Sequence, residues 1–191
     1  MAEETGQTRN DELDEQAEAR RRTALAQIRQ WGDPALRMRA KEVEEFDEDL
    51  KRLVERMQRL MGEANGVGLA ATQVGIVRRV LVFLPGLDAE PQALVNPVIV
   101  ERSDETEVGD EGCLSLQRVT VPVERHVGVT VEGRDADDAE VRLELTELAA
   151  RVLQHEIDHL DGVLILDLTT PEARREALAV LRPQPVLALQ R

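Results

Sequence analysis

Only three histidines occur in the 191 residues, and two of them bracket the run His155-Glu156-Ile157-Asp158-His159, an H-E-x-x-H pattern. On a helix, positions i and i+4 differ by about 40° in azimuth, so both imidazoles project from one face, a turn apart. Two ring nitrogens so placed can hold one metal ion. Glu156, on the same turn, is placed to handle the proton of a water on that metal. Two ordinary helical histidines beside a surface glutamate would give the same letters, but so few histidines make that coincidence rare.

A hydrolytic metal site takes three protein ligands and keeps one position open. Zinc endopeptidases draw the third ligand from downstream. One class continues His-x-x-Gly-x-x-His; here Gly162 fits, but the next required position is Ile165. Another takes a glutamate from a later helix, for which Glu172 and Glu176 are available. Upstream, the sole cysteine lies in Glu111-Gly112-Cys113-Leu114-Ser115. A thiolate suits borderline and soft divalent metals, and the metal itself displaces the thiol proton. A lone cysteine is otherwise most often a small buried hydrophobe, so the H-E-x-x-H run is what gives Cys113 weight.

A third segment, Gly66-Val67-Gly68-Leu69-Ala70-Ala71-Thr72-Gln73, formally matches the G-x-G-x-x-A dinucleotide fingerprint. That fingerprint must follow a strand and open a helix. Here it follows a helical pattern and precedes a strand, so a loop whose glycines admit a substrate backbone is the better reading.

The elements that must position these residues follow from periodicity. Leu50, Leu53, Val54, Met57, Leu60 and Met61 recur at three and four residues, with Asp47 or Asp49 as cap and Asn65-Gly66 as stop. Arg79 to Leu84 reads as a buried strand closed by Pro85-Gly86. Ala93–Val95 and Val98–Val100 read as strand segments interrupted by Asn96-Pro97. Further short strands fall at Val119–Pro122, Val127–Val131 and Val141–Leu145, with a turn from Glu132 to Asp138. Thr146 caps the helix that carries the histidines, which ends near Asp161-Gly162. A last helix follows Pro171 and stops at Pro183 and Pro185. The order predicts an α+β fold, with mainly antiparallel sheets wrapped around a central helix carrying H-E-x-x-H. Residues 1–24 read as a polar, flexible extension, and 25–191 as a single catalytic domain.

The bulk numbers exclude several function classes. A net charge of −14 repels a phosphate backbone, and 2% aromatic residues leave little for base stacking, so direct nucleic-acid binding is not expected. No apolar run reaches the roughly 18 residues that span a bilayer, and the N-terminus lacks the apolar core of a signal peptide, so no membrane association is expected. One cysteine forms no internal disulfide, which points to the cytoplasm.

In order and spacing, the segments 66–73, 111–115 and 154–159 resemble the three signature motifs of the peptide deformylases. The resemblance spans roughly residues 27–170, with Asp33-Pro34-Ala35-Leu36-Arg37 and Asn96-Pro97 as supporting landmarks. It implies a metallohydrolase that removes formyl from the N-terminal formylmethionine of newly made polypeptides. Cys113, His155 and His159 would hold the metal, with water in the fourth position. Ferrous iron would be the native ion, with zinc, nickel or cobalt possible. Glu156 would be the general base, then the acid for the leaving amine. Gln73 and the Leu114 N–H would hold the oxyanion. The substrate would lie as an added strand near Val67, Gly68, Leu69 and Gly112, its methionine side chain reaching Val67, Leu148, Val152 and the His155 ring. Arg151 and Gly109 stand where relatives can carry apolar residues, and the extension is longer than the family's usual start. The implied partners are formylmethionyl nascent peptides, with transient proximity to the ribosome. Two other readings remain, a zinc endopeptidase and a degenerate paralogue that binds peptides without catalysis.

Overall fold

The period from Leu50 to Met61 becomes a helix because every third or fourth residue finds the same core. In the computed structural model, which describes residues 2–86 and 88–182 with side chains from residue 14 onward, α2 spans Glu48–Glu63. Leu50, Val54, Met57, Leu60 and Met61 are its buried stripe. The Asp47 carboxylate caps it by accepting from Leu50 N–H at 2.9 Å. Asn65 ends it in the left-handed region, φ 56°. Ahead of it, α1 runs Ala2–Leu25, and its last turn enters the same core through Ala24.

Two antiparallel sheets follow. The larger is ordered β1-β2-β3-β6-β7, from Gly68–Ala70, Val80–Phe83, Gln92–Arg102, Gly128–Arg134 and Glu140–Thr146. The smaller pairs β4, Thr106–Gly112, with β5, Thr120–His126. Strand β2 is apolar throughout because both faces are covered: Val80 and Val82 pack in the cluster with α2, Leu81 and Phe83 in the cluster with α3. Helix α3, Glu147–Leu160, contributes Ala150, Val152, Leu153, Ile157 and Leu160 to that second cluster, and it touches both sheets. Two later helices, α4 (Ile165–Leu168) and α5 (Pro171–Leu181), close over the inner face of β5 through Ile165, Leu166 and Ala177. Among the described residues no helix is long and apolar enough to cross a membrane.

Several boundaries differ from the sequence expectation. The segments 93–95 and 98–100 form one strand that passes through Asn96-Pro97 with a shift of register between Val95 and Val98. Asn96 permits this bulge by adopting φ 53°, and its side chain takes over ladder duty, accepting from Val43 N–H at 2.8 Å and donating to Val43 C=O at 2.9 Å. The expected glycine loop is strand β1 followed by a 3₁₀ turn, Ala71–Val74. Strand β4, with five acidic or glycine positions at 107 and 109–112, gives no apolar alternation and was not expected. Nor was the four-residue α4. Glu132–Arg134 belong to β6, so the turn is confined to 135–138. Thr146 sits at the N-cap of α3 without a side-chain capping bond. Gly162 ends α3 at φ 77°, where a Cβ would lie 2.7 Å from the Arg37 carbonyl oxygen. Pro183 and Pro185 lie outside the described residues.

Candidate active site

Strand β4 delivers Cys113 at its end, and α3 delivers His155 and His159 from successive turns. One ligand atom from each of the three lies within 4.8 Å of the others. Cys113 Sγ is 3.2 Å from His159 Nε2, and the two imidazole centroids are 4.9 Å apart. Burial holds the pKa of His159 well below its usual value, which keeps the ring neutral and able to ligate. Burial also disfavours charge on His155, yet Cys113 and Glu111 on its two sides raise its pKa well above the usual value. A thiol and a carboxylate converging on buried imidazoles form an environment that a cation fits, and a thiol with two imidazoles is a donor set for a borderline divalent metal.

The orientation of His155 comes from a residue to which the sequence reading gave no role. His155 Nδ1 donates to Glu111 Oε2 at 3.0 Å, leaving its Nε2 for the cluster. Glu111 is itself gripped by Arg125, through Nε at 2.9 Å and Nη2 at 3.0 Å, and by Arg151 Nη1 at 2.9 Å. Burial pushes the Glu111 carboxyl up, but the bonds from His155 and Arg125 outweigh it and bring it to about 2. Arg125 also donates to Asp158 at 2.5 Å. Two signals in the sequence pointed here. Glu111 opens its motif, where a metal-binding histidine calls for a carboxylate to orient it. Arg125 follows Val121 and Val123 at alternate positions of β5 and so faces inward.

Glu156 is buried, and its Oε2 has no partner among the described residues. Burial pushes its carboxyl up to about 7, against the opposing pull of His155. Gly68 makes room for it: a Cβ there would stand 2.8 Å from Glu156 Cγ. The Gln73 amide is aimed by three contacts. Its Oε1 accepts from Ala70 N–H at 2.8 Å, and its Nε2 donates to Ser115 Oγ at 3.2 Å and points at Cys113 Sγ, 3.7 Å away. Leu114 follows Cys113, and its carbonyl accepts from the Gln30 side chain at 3.1 Å. Its N–H takes no partner among the described residues.

A cleft of about 640 Å³ opens onto these groups. Val67, Gly68, Gly112, Leu148 and Val152 line it together with Gln73, Cys113, Leu114, His155 and Glu156. Leu69 is the one expected substrate-side residue that does not: its side chain is fully buried in the core, so only its backbone is available. Arg151 lines the cleft with its guanidinium held by Glu111, by Val123 C=O at 3.0 Å and by Glu107 C=O at 2.9 Å. Gly109 makes this possible, since a Cβ there would come within 2.9 Å of the guanidinium carbon. Gln154 stays out of the site, with its amide bonded to the backbone of His126 and Ala150. Glu172 and Glu176 are exposed on α5 and are not in the cluster.

An α+β chain with a buried carboxylate, one oxygen of which has no partner among the described residues, beside a cysteine and two histidines has the features of a hydrolase with a candidate metal centre. The family model that matches residues 25–175 is that of polypeptide deformylase, and the chain belongs to that family of enzymes. Among curated relatives, the peptide deformylase of Thermotoga maritima is 49% identical over 150 residues, covering 78% of this chain and 90% of that protein. Peptide deformylase 1 of Corynebacterium glutamicum is 42% identical over 165 residues, covering 83% and 95%. The crystal structure of the Thermotoga maritima enzyme superposes with a TM-score of 0.72, covering 75% of this chain and 97% of that one at 49% identity. A peptide deformylase from Synechococcus elongatus, solved in complex with actinonin, gives 0.77 at 36% identity, covering 82% and 91%.

Proposed function

We propose that residues 25–191 form one catalytic domain, behind the extension 1–24, that releases formate from the N-terminal formylmethionine of newly made polypeptides in the cytoplasm. The observation that carries the reading is the convergence of Cys113, His155 and His159 beside Glu156, whose carboxylate has an oxygen with no partner among the described residues. A divalent cation held by those three residues, ferrous iron by family resemblance, would supply a Lewis acid for the formyl carbonyl and an acidified water. Membership of the family and the donor set both support this assignment.

The residues of the chain divide the remaining work. Glu156 takes the proton of the attacking water as its oxygen adds to the formyl carbon, then gives that proton to the amine nitrogen as the C–N bond breaks. Its burial favours this exchange, because a carboxyl raised toward neutrality both accepts and returns a proton readily. Gln73 Nε2 and the Leu114 N–H donate to the carbonyl oxygen as negative charge gathers there. Glu111 fixes the tautomer and direction of His155. The central position of α3 lets one helix supply both imidazoles and the base. Strand β1 lies at an edge of its sheet, and a peptide backbone can add there beside Gly112. The methionine side chain then enters among Val67, Leu148, Val152 and the His155 ring.

Mass spectrometry of a long formylmethionyl peptide incubated with the anaerobically purified protein separates the readings. Loss of the formyl group alone supports a deformylase. Cleavage of internal peptide bonds would replace it with an endopeptidase, and an unaltered peptide with metal bound would leave a peptide-binding paralogue.

A further inference from the structure

The family match begins at residue 25, yet Glu18, Arg21, Arg22 and Leu25 of α1 line the same cleft as Gln73, Cys113 and Glu156. The end of that helix is firmly fixed. Ala24 and Ile28 are buried in the core with α2, and Leu25 packs against them. Beyond them, Arg29 N–H donates to Gln73 C=O at 2.7 Å, the Gln30 amide to Leu114 C=O at 3.1 Å, and Trp31 N–H to Ser115 C=O at 2.9 Å. The turn carrying Arg21 and Arg22 is therefore tied to the two segments that provide the oxyanion donors.

Once the reacting groups and the methionine pocket are set aside, the rest of the lining is α1, Asn65-Gly66, Asp110, Arg151 and the segment 116–120. The peptide beyond its first residue has to leave the cleft along this border. The border is cationic in a chain whose net charge is −14. Arg22 and Arg118 have no ion-pair partner among the described residues, and Arg21 meets only Glu18, at 3.8 Å with both side chains exposed, a contact that solvent screens strongly. Arg118 is also held at φ 65°, an unfavourable conformation for a residue with a side chain. The lining contains one other exposed acid, Asp110; Glu111 is neutralised by Arg125 and Arg151, and Glu156 is buried at the reacting end.

We propose that the last two turns of α1 form a wall of the peptide exit, and that Arg21, Arg22 and Arg118 make a subsite there for an acidic side chain downstream of the formylmethionine. The proposal rests on the deformylase reading and gives the extension a part in substrate choice. Selection acts on binding, because none of the three cations bonds to Cys113, His155, Glu156 or His159.

Steady-state kinetics on formyl-Met-Ala-Glu-amide, its Gln isostere and its Lys counterpart test this in the full-length protein; the amide removes the terminal carboxylate. The Glu peptide should show a KM about fivefold below the Gln peptide at similar kcat, with the ratio shrinking as salt rises. In the double variant Arg21→Glu/Arg22→Glu the order should reverse in favour of Lys, and Arg118→Glu should shift it the same way. Equal KM values for Glu and Gln in the unmodified protein, or a Glu preference that survives both charge reversals, would overturn the subsite. Formate from the Gln peptide checks the underlying reading. Its release without a Glu preference removes the subsite alone, whereas no release from any of the three peptides removes both.

Discussion

Among single residues, Glu111 is the one that fixes how His155 faces the cluster. Glu111→Gln keeps an acceptor for His155 but leaves Arg125 and Arg151 facing a neutral group in a buried setting. Metal affinity should fall by about 10- to 100-fold and stability by roughly 3 kcal/mol, read by chelator competition and by urea unfolding; unchanged values for both would refute its role. Asp167 provides a pH test away from the metal cluster. Burial raises its carboxyl, but bonds from Arg37 and from Leu164 N–H at 2.9 Å outweigh this and lower its pKa. A depressed pKa means that the unfolded chain binds the extra proton first, so the stabilisation is present above the ordinary value of about 3.9 and lost as pH falls through the folded value. Asp167→Asn should cost about 1 kcal/mol at pH 7, and the gap to the parent should close in acid; a gap constant from pH 7 downward would contradict the assignment. The cluster of Cys113, His155, Glu156 and His159 was legible in the sequence because an i, i+4 pair of histidines with a glutamate on the same turn suits one metal ion, and the sole cysteine is brought to it. Of the residues that orient them, Glu111 and Arg125 left only position and alternation as signals, and their pairing with each other and with Arg151 is tertiary contact that no spacing reveals.

At the scale of elements, periodicity was a reliable guide where one face meets a core and a poor one where pairing alone makes the strand. Helices α2 and α3 and strand β2 carry dense apolar patterns and fall where they were expected. Strand β4 is mostly exposed and is held by its ladder to β5, so its sequence shows acids and glycines in place of an alternation. Asn96-Pro97 looked like a break because proline cannot donate to a ladder. The chain resolves that conflict with a bulge, in which Asn96 N–H donates to Arg79 C=O at 2.8 Å and its side chain satisfies Val43. Asn96→Ala removes both side-chain bonds and puts a less tolerant residue at positive φ, so it should destabilise by about 2 to 3 kcal/mol in chemical denaturation. A loss under about 0.5 kcal/mol would show that the bulge is not what holds β3 to the 43 segment.

Across the whole molecule, the two sheets and α3 make a frame that gathers the cluster from distant points of the chain, Cys113 and His155 being 42 positions apart. A metal held by such a frame would be coupled to folding. Free metal at about 100 times its dissociation constant adds roughly 2.7 kcal/mol, or about 5 to 10 °C in Tm for a chain of this size. Thermal unfolding with chelator and with added Ni²⁺ should differ by that much in the parent protein and by little in Cys113→Ala; equal shifts in both would place the metal elsewhere. The extension is where sequence and fold were least connected. Its polar composition gave no reason for α1 to reach the cleft, and the contact depends on Ala24, Leu25 and Ile28 finding the face of α2.

Glu156 is proposed to move the proton in a deformylation at the Cys113-His155-His159 cluster. Formate release from formyl-Met-Ala-Ser by anaerobically prepared protein, beside a Glu156→Gln variant with its metal content measured, tests it most directly. The parent should release formate, and the rate should fall at least about 100-fold in the variant with metal retained. Equal rates from the two proteins would contradict it.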